Sequence, residues 1–218
     1  MYNYQYVSKA VYKPEAEKIH EMIREVQDLV REYFTFQYRF IGSSALNMIT
    51  YDPKSNKGFD FDVNIYPNYE DDEYAPFEVK KILMAAFNKV VDKYGYGRCE
   101  DSTRVFTIKV KDVYHSKILH SCDFAIVHDY VDDRGRDRQE YIHNNKQFFE
   151  APSNYSWEDQ PIEFQNLRDK IEFIKKKKAW KKVRDLYIEK KNNNTDPNKK
   201  SRSLRVEAIN EIAQYYGY

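Results

Sequence analysis

Cysteine is scarce in this chain: 218 residues hold two, Cys99 and Cys122, and their separation fits no metal-ligand spacing. Reduced thiols in a cytoplasmic protein are the expected state. Long apolar runs are also missing, and nothing approaches the ~18 residues of a membrane-spanning helix, so no membrane partner is expected. The opening residues, Met1–Tyr6, have neither the basic stretch nor the apolar core of a secretory signal. Five histidines (20, 115, 120, 128 and 143) show neither zinc-site nor triad spacing. A Gly-x-Ser-x-Gly elbow, a Walker loop and a dinucleotide fingerprint are absent, as is any internal repeat. These gaps speak against serine hydrolases, P-loop enzymes and Rossmann dehydrogenases.

What is present is a wet-surfaced chain that can still bury a core, with 41% apolar and 33% charged residues and a mean hydropathy of −0.87. Twenty tyrosines suit packing and interfaces, with some available to stack on a base. The length suits one domain, or a compact domain with a smaller helical appendage. A net charge of +1 conceals an asymmetry. Residues 168–202 hold 14 Lys/Arg against 5 Asp/Glu, an excess of nine that leaves minus eight for the remainder. This segment includes Lys175-Lys176-Lys177-Lys178 and Lys181-Lys182. A solvated helix face and an electrostatic footprint for phosphates account for it equally well.

The strongest local signal is Phe59-Asp60-Phe61-Asp62-Val63, which follows the small-residue turn Gly42-Ser43-Ser44-Ala45-Leu46. In a strand the side-chain period is two, so both aspartates leave one face and the apolar residues leave the other. Adjacent carboxylates repel unless a cation neutralises them. Oxygen ligation of this kind suits Mg²⁺, which binds through one or two carboxylates plus substrate phosphates. An isolated Asp-x-Asp is common on solvated strand ends. This one lies in an apolar run, where a casual aspartate would be costly. Asp123, between Cys122 and Phe124, is a third acid in an apolar strand and reads as the third wall of the same pocket. Phosphoryl or nucleotidyl transfer is the chemistry these residues suggest.

Around these signals, helical spacing covers 14–33, with Pro14 in the first turn, and again 76–94. Strands are expected at 35–41, 59–66, 104–110 and 118–127, with a short helix after Gly42-Ser43-Ser44. Residues 52–58 and the acidic 69–74 read as loops. From 132 to 155 the pattern is irregular, with short extended pieces near Tyr141 and at 148–149. Helices are expected at 163–178, 179–190 and 203–216, with a mobile Asn/Lys-rich linker at 191–202. The sum is an α/β catalytic domain over residues 1–155 followed by an α-helical region over 156–218.

Gly42-Ser43, then Asp60-x-Asp62, then Asp123 resemble the DNA polymerase beta-type nucleotidyltransferase superfamily, whose fold is a small mixed sheet with flanking helices. Gly42-Ser43-Ser44-Ala45-Leu46, Asp169-Lys170 and Val183-Arg184-Asp185-Leu186-Tyr187 are similar to AbiEii-type nucleotidyltransferases, the toxin halves of bacterial abortive-infection systems. The likeness spans roughly residues 38–190. Ser43 stands in place of that family's second glycine, Gly58 in place of its serine two residues before Asp60, and Ile188 in place of its last aspartate.

The resemblance implies NMP transfer from an NTP to an acceptor, with RNA such as the tRNA 3′ end favoured by the basic helices. Asp60, Asp62 and Asp123 would hold two Mg²⁺ ions, and Gly42, Ser43 and Ser44 would receive phosphate oxygens. Lys170 would contact nucleotide phosphates. Arg184 and Asp185 read either as a helix-surface ion pair or as part of the site, Asp185 as a contact to Lys170 or a candidate base. A toxin role would bring a cognate antitoxin protein as partner. A small-molecule or protein acceptor, and a non-catalytic nucleotide-binding module of the same fold, are the competing readings.

Overall fold

A computed structural model of the chain describes residues 2–70, 73–146, 150–161 and 167–218. Part of the acidic loop expected at 69–74, the extended piece at 148–149 and residues 163–166 of the helix expected from 163 lie outside the described residues. The first elements in chain order are β1 (Gln5–Tyr6), α1 (Lys9–Val30), β2 (Thr35–Ile41), α2 (Gly42–Ala45), β3 (Thr50–Tyr51), β4 (Phe59–Asn68) and α3 (Pro76–Val90). There follow β5 (Glu100–Asp101), β6 (Phe106–Asp112), β7 (Lys117–Val131), β8 (Asp137–Asn144) and β9 (Tyr155–Asp159). Three helices complete the chain: α4 (Leu167–Lys176), α5 (Trp180–Asn193) and α6 (Ser201–Tyr215).

These elements form two compact units that interleave in sequence: Val7–Ile49 with Asn56–Gln160, and Met1–Tyr6 with Thr50–Ser55 and Pro161–Tyr218. The sequence reading cut the chain once, after residue 155. It assigned both N-terminal excursions to the catalytic part.

The larger unit is built on a seven-stranded mixed sheet in the order β2-β4-β7-β6-β5, with β8 joined to β7 and β9 to β8. Among the described residues only β4 and β7 run parallel. The alternation read from the sequence decides which way the strands face. Phe59, Phe61, Val63 and Ile65 of β4 are buried, while Asp60 is exposed and Asp62 half-buried. Cys122, Phe124 and Ile126 of β7 and Phe106 and Ile108 of β6 extend the apolar face. Phe87 of α3 packs on it, with ring centroids 4.5 Å from Phe124 and 5.3 Å from Phe106. From α1, Glu15 reaches buried His120 of β7 at 3.3 Å. Each large apolar side chain buried in this way contributes about 1.5–3 kcal/mol. Both cysteines are free, and burial pushes the Cys99 thiol up to about 12.

The 132–155 stretch differs from the irregular segment expected, since β8 and β9 pair as an antiparallel hairpin. Its strand signal is masked by charge. Arg138, Glu140 and His143 break the apolar alternation, and their polar ends meet Asp159 (3.0 Å), His128 (3.0 Å) and Glu158 (2.9 Å) on neighbouring strands. Helix α1 begins before the expected start and carries Pro14 in its interior.

In the smaller unit α6 packs against both α4 and α5, and β1 pairs with β3. Polar bonds pin the N-terminal residues to α5. The Tyr4 N–H donates to Asn192 Oδ1 (2.6 Å) and the Tyr6 hydroxyl to the Arg184 carbonyl (2.6 Å). Lys191 is buried in α5 and donates to Thr50 Oγ1 at 2.6 Å, so the expected mobile linker at 191–202 begins only after α5 ends at Asn193.

Candidate active site

The polar face of the sheet gathers the acids. In the parallel ladder Asp62 lies directly opposite Asp123, and Asp60 opposite Ser121. Neighbouring strands are about 4.8 Å apart, and directly paired residues share a face, so three carboxylates occupy one small area. Thr107 of β6 lies opposite Asp123 on the other side. Two hydroxyls take up carboxylate oxygens there: Ser121 Oγ donates to Asp60 Oδ1, and Thr107 Oγ1 donates to Asp123 Oδ1 at 2.6 Å.

The small-residue turn abuts the same acids. Strand β2 ends at Ile41, directly opposite Asp62. The next residue, Gly42, has φ +66°, and a Cβ there would lie 3.1 Å from Asp62 Cγ and closer still to the carboxylate. Glycine is therefore required on two counts, the left-handed backbone and the close approach. The turn is held by Ser44 Oγ donating to the Ile41 carbonyl (2.8 Å) and by the Met48 N–H donating to the Ser43 carbonyl (2.8 Å). Asn47, also at positive φ, accepts a bond from the Tyr12 hydroxyl at 2.6 Å. Gly42→Ala is expected to cost about 1–2 kcal/mol of stability and to displace the Asp62 carboxylate. Thermal melts and Mn²⁺ titration of that variant check both effects. Gly58, two residues before Asp60, also has a local reason: a Cβ there would overlap the Leu119 backbone carbonyl and stand 2.8 Å from the Ile118 oxygen.

Burial is the largest influence on Asp123 and raises its carboxyl above the ordinary carboxylate value. The Thr107 bond opposes this, and the neighbouring Asp60 charge adds to it. A carboxyl raised in the folded state binds its proton more tightly there than in the unfolded chain. Its ionisation thus weakens the fold as pH rises through the window above the unfolded value, and the penalty is complete above the folded value. Asp123→Asn keeps the acceptor oxygen for Thr107 and removes the charge. Its melting temperature in metal-free buffer at pH 7 should exceed that of the parent, and the difference should shrink on acidification.

Among the described residues no three acidic, histidine or cysteine side chains already converge as a metal cluster. Asp60, Asp62 and Asp123 carry hard oxygen donors of the kind that could hold a divalent cation such as Mg²⁺.

Lys170, Arg184 and Asp185 belong to the smaller unit. Lys170 Nζ donates to Asn210 Oδ1 (2.9 Å) beside a cavity of about 550 Å³ lined also by Ala213, Gln214 and Tyr218. The Arg184 guanidinium lies 4.3 Å from the Tyr6 ring centroid. Asp185 pairs with exposed Lys181 at 2.8 Å, one helical turn away. The expected Asp185–Lys170 contact is therefore replaced by two separate pairings, because Lys170 of α4 engages α6 while Asp185 engages its own helix. In the same unit Lys175, Lys177 and Lys182 lie 5.4, 5.3 and 5.0 Å from the ring centroids of Trp180, Phe173 and Tyr215. Lys175 to Lys178, Lys181 and Lys182 are all exposed. Sequence reasoning missed Thr107 and Ser121, although Ser121 stands two residues before Asp123 and hence on its face.

No family model matches the chain, and no curated protein matches it. Solved structures do. The Vibrio cholerae di-nucleotide cyclase DncV, determined with GTP and 5MTHFGLU2, matches over 95% of this chain and 55% of its own, at a TM-score of 0.54 and 13% identity. A GTP-bound form of the same cyclase gives 0.53 at 15% identity, over 95% and 52%. The Bradyrhizobium diazoefficiens CD-NTase CdnG in complex with GTP gives 0.50 at 12% identity, over 84% and 43%. The chain thus spans about half the length of the structures it matches. At such identities the likeness is one of architecture: the chain has the nucleotidyltransferase fold, with a central mixed sheet and flanking helices.

Proposed function

We propose that the protein is a Mg²⁺-dependent nucleotidyltransferase that moves NMP from an NTP to an acceptor hydroxyl. The observation that supports this most directly is the register of β4 and β7, which sets Asp62 beside Asp123 with Asp60 two residues along the same face. The Gly42–Ser44 turn abuts Asp62. In this reading Asp60, Asp62 and Asp123 hold the cation. Gly42, Ser43 and Ser44 receive triphosphate oxygens through backbone N–H groups and the Ser43 hydroxyl. A Mg²⁺ ion held by Asp60, Asp62 and Asp123 would supply positive charge to offset that of the triphosphate, the attacking hydroxyl as it ionises and the departing pyrophosphate. By resemblance, Lys170 and Arg184 contact nucleotide phosphates and Asp185 serves as a base.

RNA is the acceptor that the smaller unit supports. Exposed lysines interleaved with aromatic rings combine phosphate attraction with stacking surfaces, as single-stranded nucleic acids require. A second nucleotide is the other acceptor to consider, given that the structural neighbours include di-nucleotide cyclases. Incubation with each α-³²P NTP, Mg²⁺ and total RNA separates these readings, with Asp60→Ala/Asp62→Ala as control. Label on RNA that requires the intact aspartates supports RNA transfer. Phosphatase-resistant small products in the absence of RNA identify a nucleotide acceptor, and label on protein a protein acceptor. No transfer under any condition refutes the enzymatic reading. On the AbiEii-type resemblance the protein acts as a toxin held in check by an antitoxin, so expression of the parent, but not of the double variant, should arrest growth.

A further inference from the structure

We propose that Ser121 and Thr107 are positioning residues for the carboxylate centre: each hydroxyl holds one aspartate by one oxygen and so fixes the plane in which the other would be offered to a cation. The inference rests on the metal-dependent reading above and concerns residues which that reading does not use. Two independent bonds carry it. Ser121 Oγ donates to Asp60 Oδ1, and Thr107 Oγ1 donates to Asp123 Oδ1 at 2.6 Å. Both follow from register. Ser121 is the ladder partner of Asp60 and Thr107 the partner of Asp123, so each hydroxyl lies on the face of the carboxylate it serves.

The two tethers come from different strands and act on different acids. Ser121 is on β7, the strand that carries Asp123, and it fixes Asp60 of β4. Thr107 on β6 fixes Asp123. The β4–β7–β6 ladder therefore sets the separation of the acids and also the rotation of two of them. A hydroxyl that donates to a carboxylate consumes one lone pair and fixes the plane of the group. Partners of this kind beyond the ligands typically govern metal affinity by about 10–100-fold. The burial of Ser121 strengthens the case, since a buried hydroxyl must find a partner and here that partner is Asp60.

The test is calorimetric titration of the full chain with Mn²⁺, without nucleotide, for the parent and for Thr107→Val, Thr107→Ser, Ser121→Ala and Asp62→Asn. Melting temperatures are recorded on the same samples. Valine preserves the shape of threonine and serine preserves its hydroxyl, so packing and positioning separate. Thr107→Val and Ser121→Ala are expected to weaken Mn²⁺ binding by about 10–100-fold. Thr107→Ser should stay within threefold of the parent. In transfer assays the losses should appear as a higher Mg²⁺ requirement, with kcat largely restored at saturating Mg²⁺. Parent-like Mn²⁺ affinity in both hydroxyl-free variants overturns the positioning role and leaves the metal reading intact. An equal loss in Thr107→Ser and Thr107→Val overturns the Thr107 role and makes it one of packing. A parent protein that binds no Mn²⁺, or binds it as well with Asp62→Asn, overturns the metal reading and this inference with it.

Discussion

Asp62→Asn should abolish nucleotidyl transfer, with kcat falling by about 10³-fold or more, equivalent to about 4 kcal/mol of lost transition-state stabilisation. Asparagine has nearly the size of aspartate, so the change removes charge and leaves packing intact. The position makes this the most damaging of the three acids to neutralise. Asp62 is the ladder partner of Asp123, stands two residues from Asp60, and lies against Gly42 of the turn assigned to the phosphates. The loss should not be one of folding, because β4 buries Phe59, Phe61 and Val63 on the opposite face, and these are untouched. Removing one of two like charges that face each other across strands should if anything raise the melting temperature in metal-free buffer. Single-turnover transfer and thermal melts on the same preparation check both parts. Activity within tenfold of the parent would remove this face from the chemistry.

The largest effect on stability is expected away from the site, at Asp101. Lys80 of α3 is buried, at 1% exposure, and its ammonium pairs with Asp101 Oδ1 at 2.7 Å and donates to the Ser102 carbonyl at 2.9 Å. Burial lowers the Lys80 value below that of an ordinary lysine, and the Asp101 bond and charge act against it. The other Asp101 oxygen accepts from the Tyr155 hydroxyl (2.6 Å) and Asn144 Nδ2 (3.2 Å). One carboxylate thus joins α3, β5, β8 and β9. Asp101→Ala leaves a buried ammonium without its counter-ion and takes one acceptor from each of two donors, leaving Tyr155 its weaker bond to Glu150 (3.2 Å) and Asn144 its bond to the Tyr155 hydroxyl (3.0 Å). Breaking such a pair typically costs about 3–5 kcal/mol. In a chain of this length that corresponds to roughly 6–20 °C in melting temperature. Adding Lys80→Met to Asp101→Ala should recover most of the loss, since the uncompensated charge is then gone. A drop under 2 °C in the single variant would show that the network contributes little.

Much of the architecture could be read along the chain because it depends on local period. Strand β2 matches the 35–41 expectation at both ends, β4 follows from alternation in an apolar run, and β7 contains the expected 118–127 strand. The faces of Asp60 and Asp62 follow from the same alternation, since a period of two puts them opposite buried phenylalanines whatever the partner strand. Gly42 was visible as a turn, yet its second requirement, the approach to Asp62, appears only once β2 is paired with β4. The β8–β9 hairpin was hidden because polar residues interrupt its apolar alternation, and the cross-strand partners that receive them lie outside any window along one strand. The same holds for Ser121 and Thr107, which are ordinary strand residues until register places their hydroxyls beside Asp60 and Asp123. The interleaving of the two units likewise depends on bonds such as Tyr4–Asn192, 188 residues apart. The sequence by itself determined that two acids share one polar face of a strand following a glycine turn, because those features are local. Only the tertiary structure decided which strands lie beside that one, and hence that Asp123, already expected as the third acid, is the ladder partner of Asp62 and that Ser121 and Thr107 are the hydroxyls bonded to the acids, because strand pairing is set by burial summed over the whole sheet.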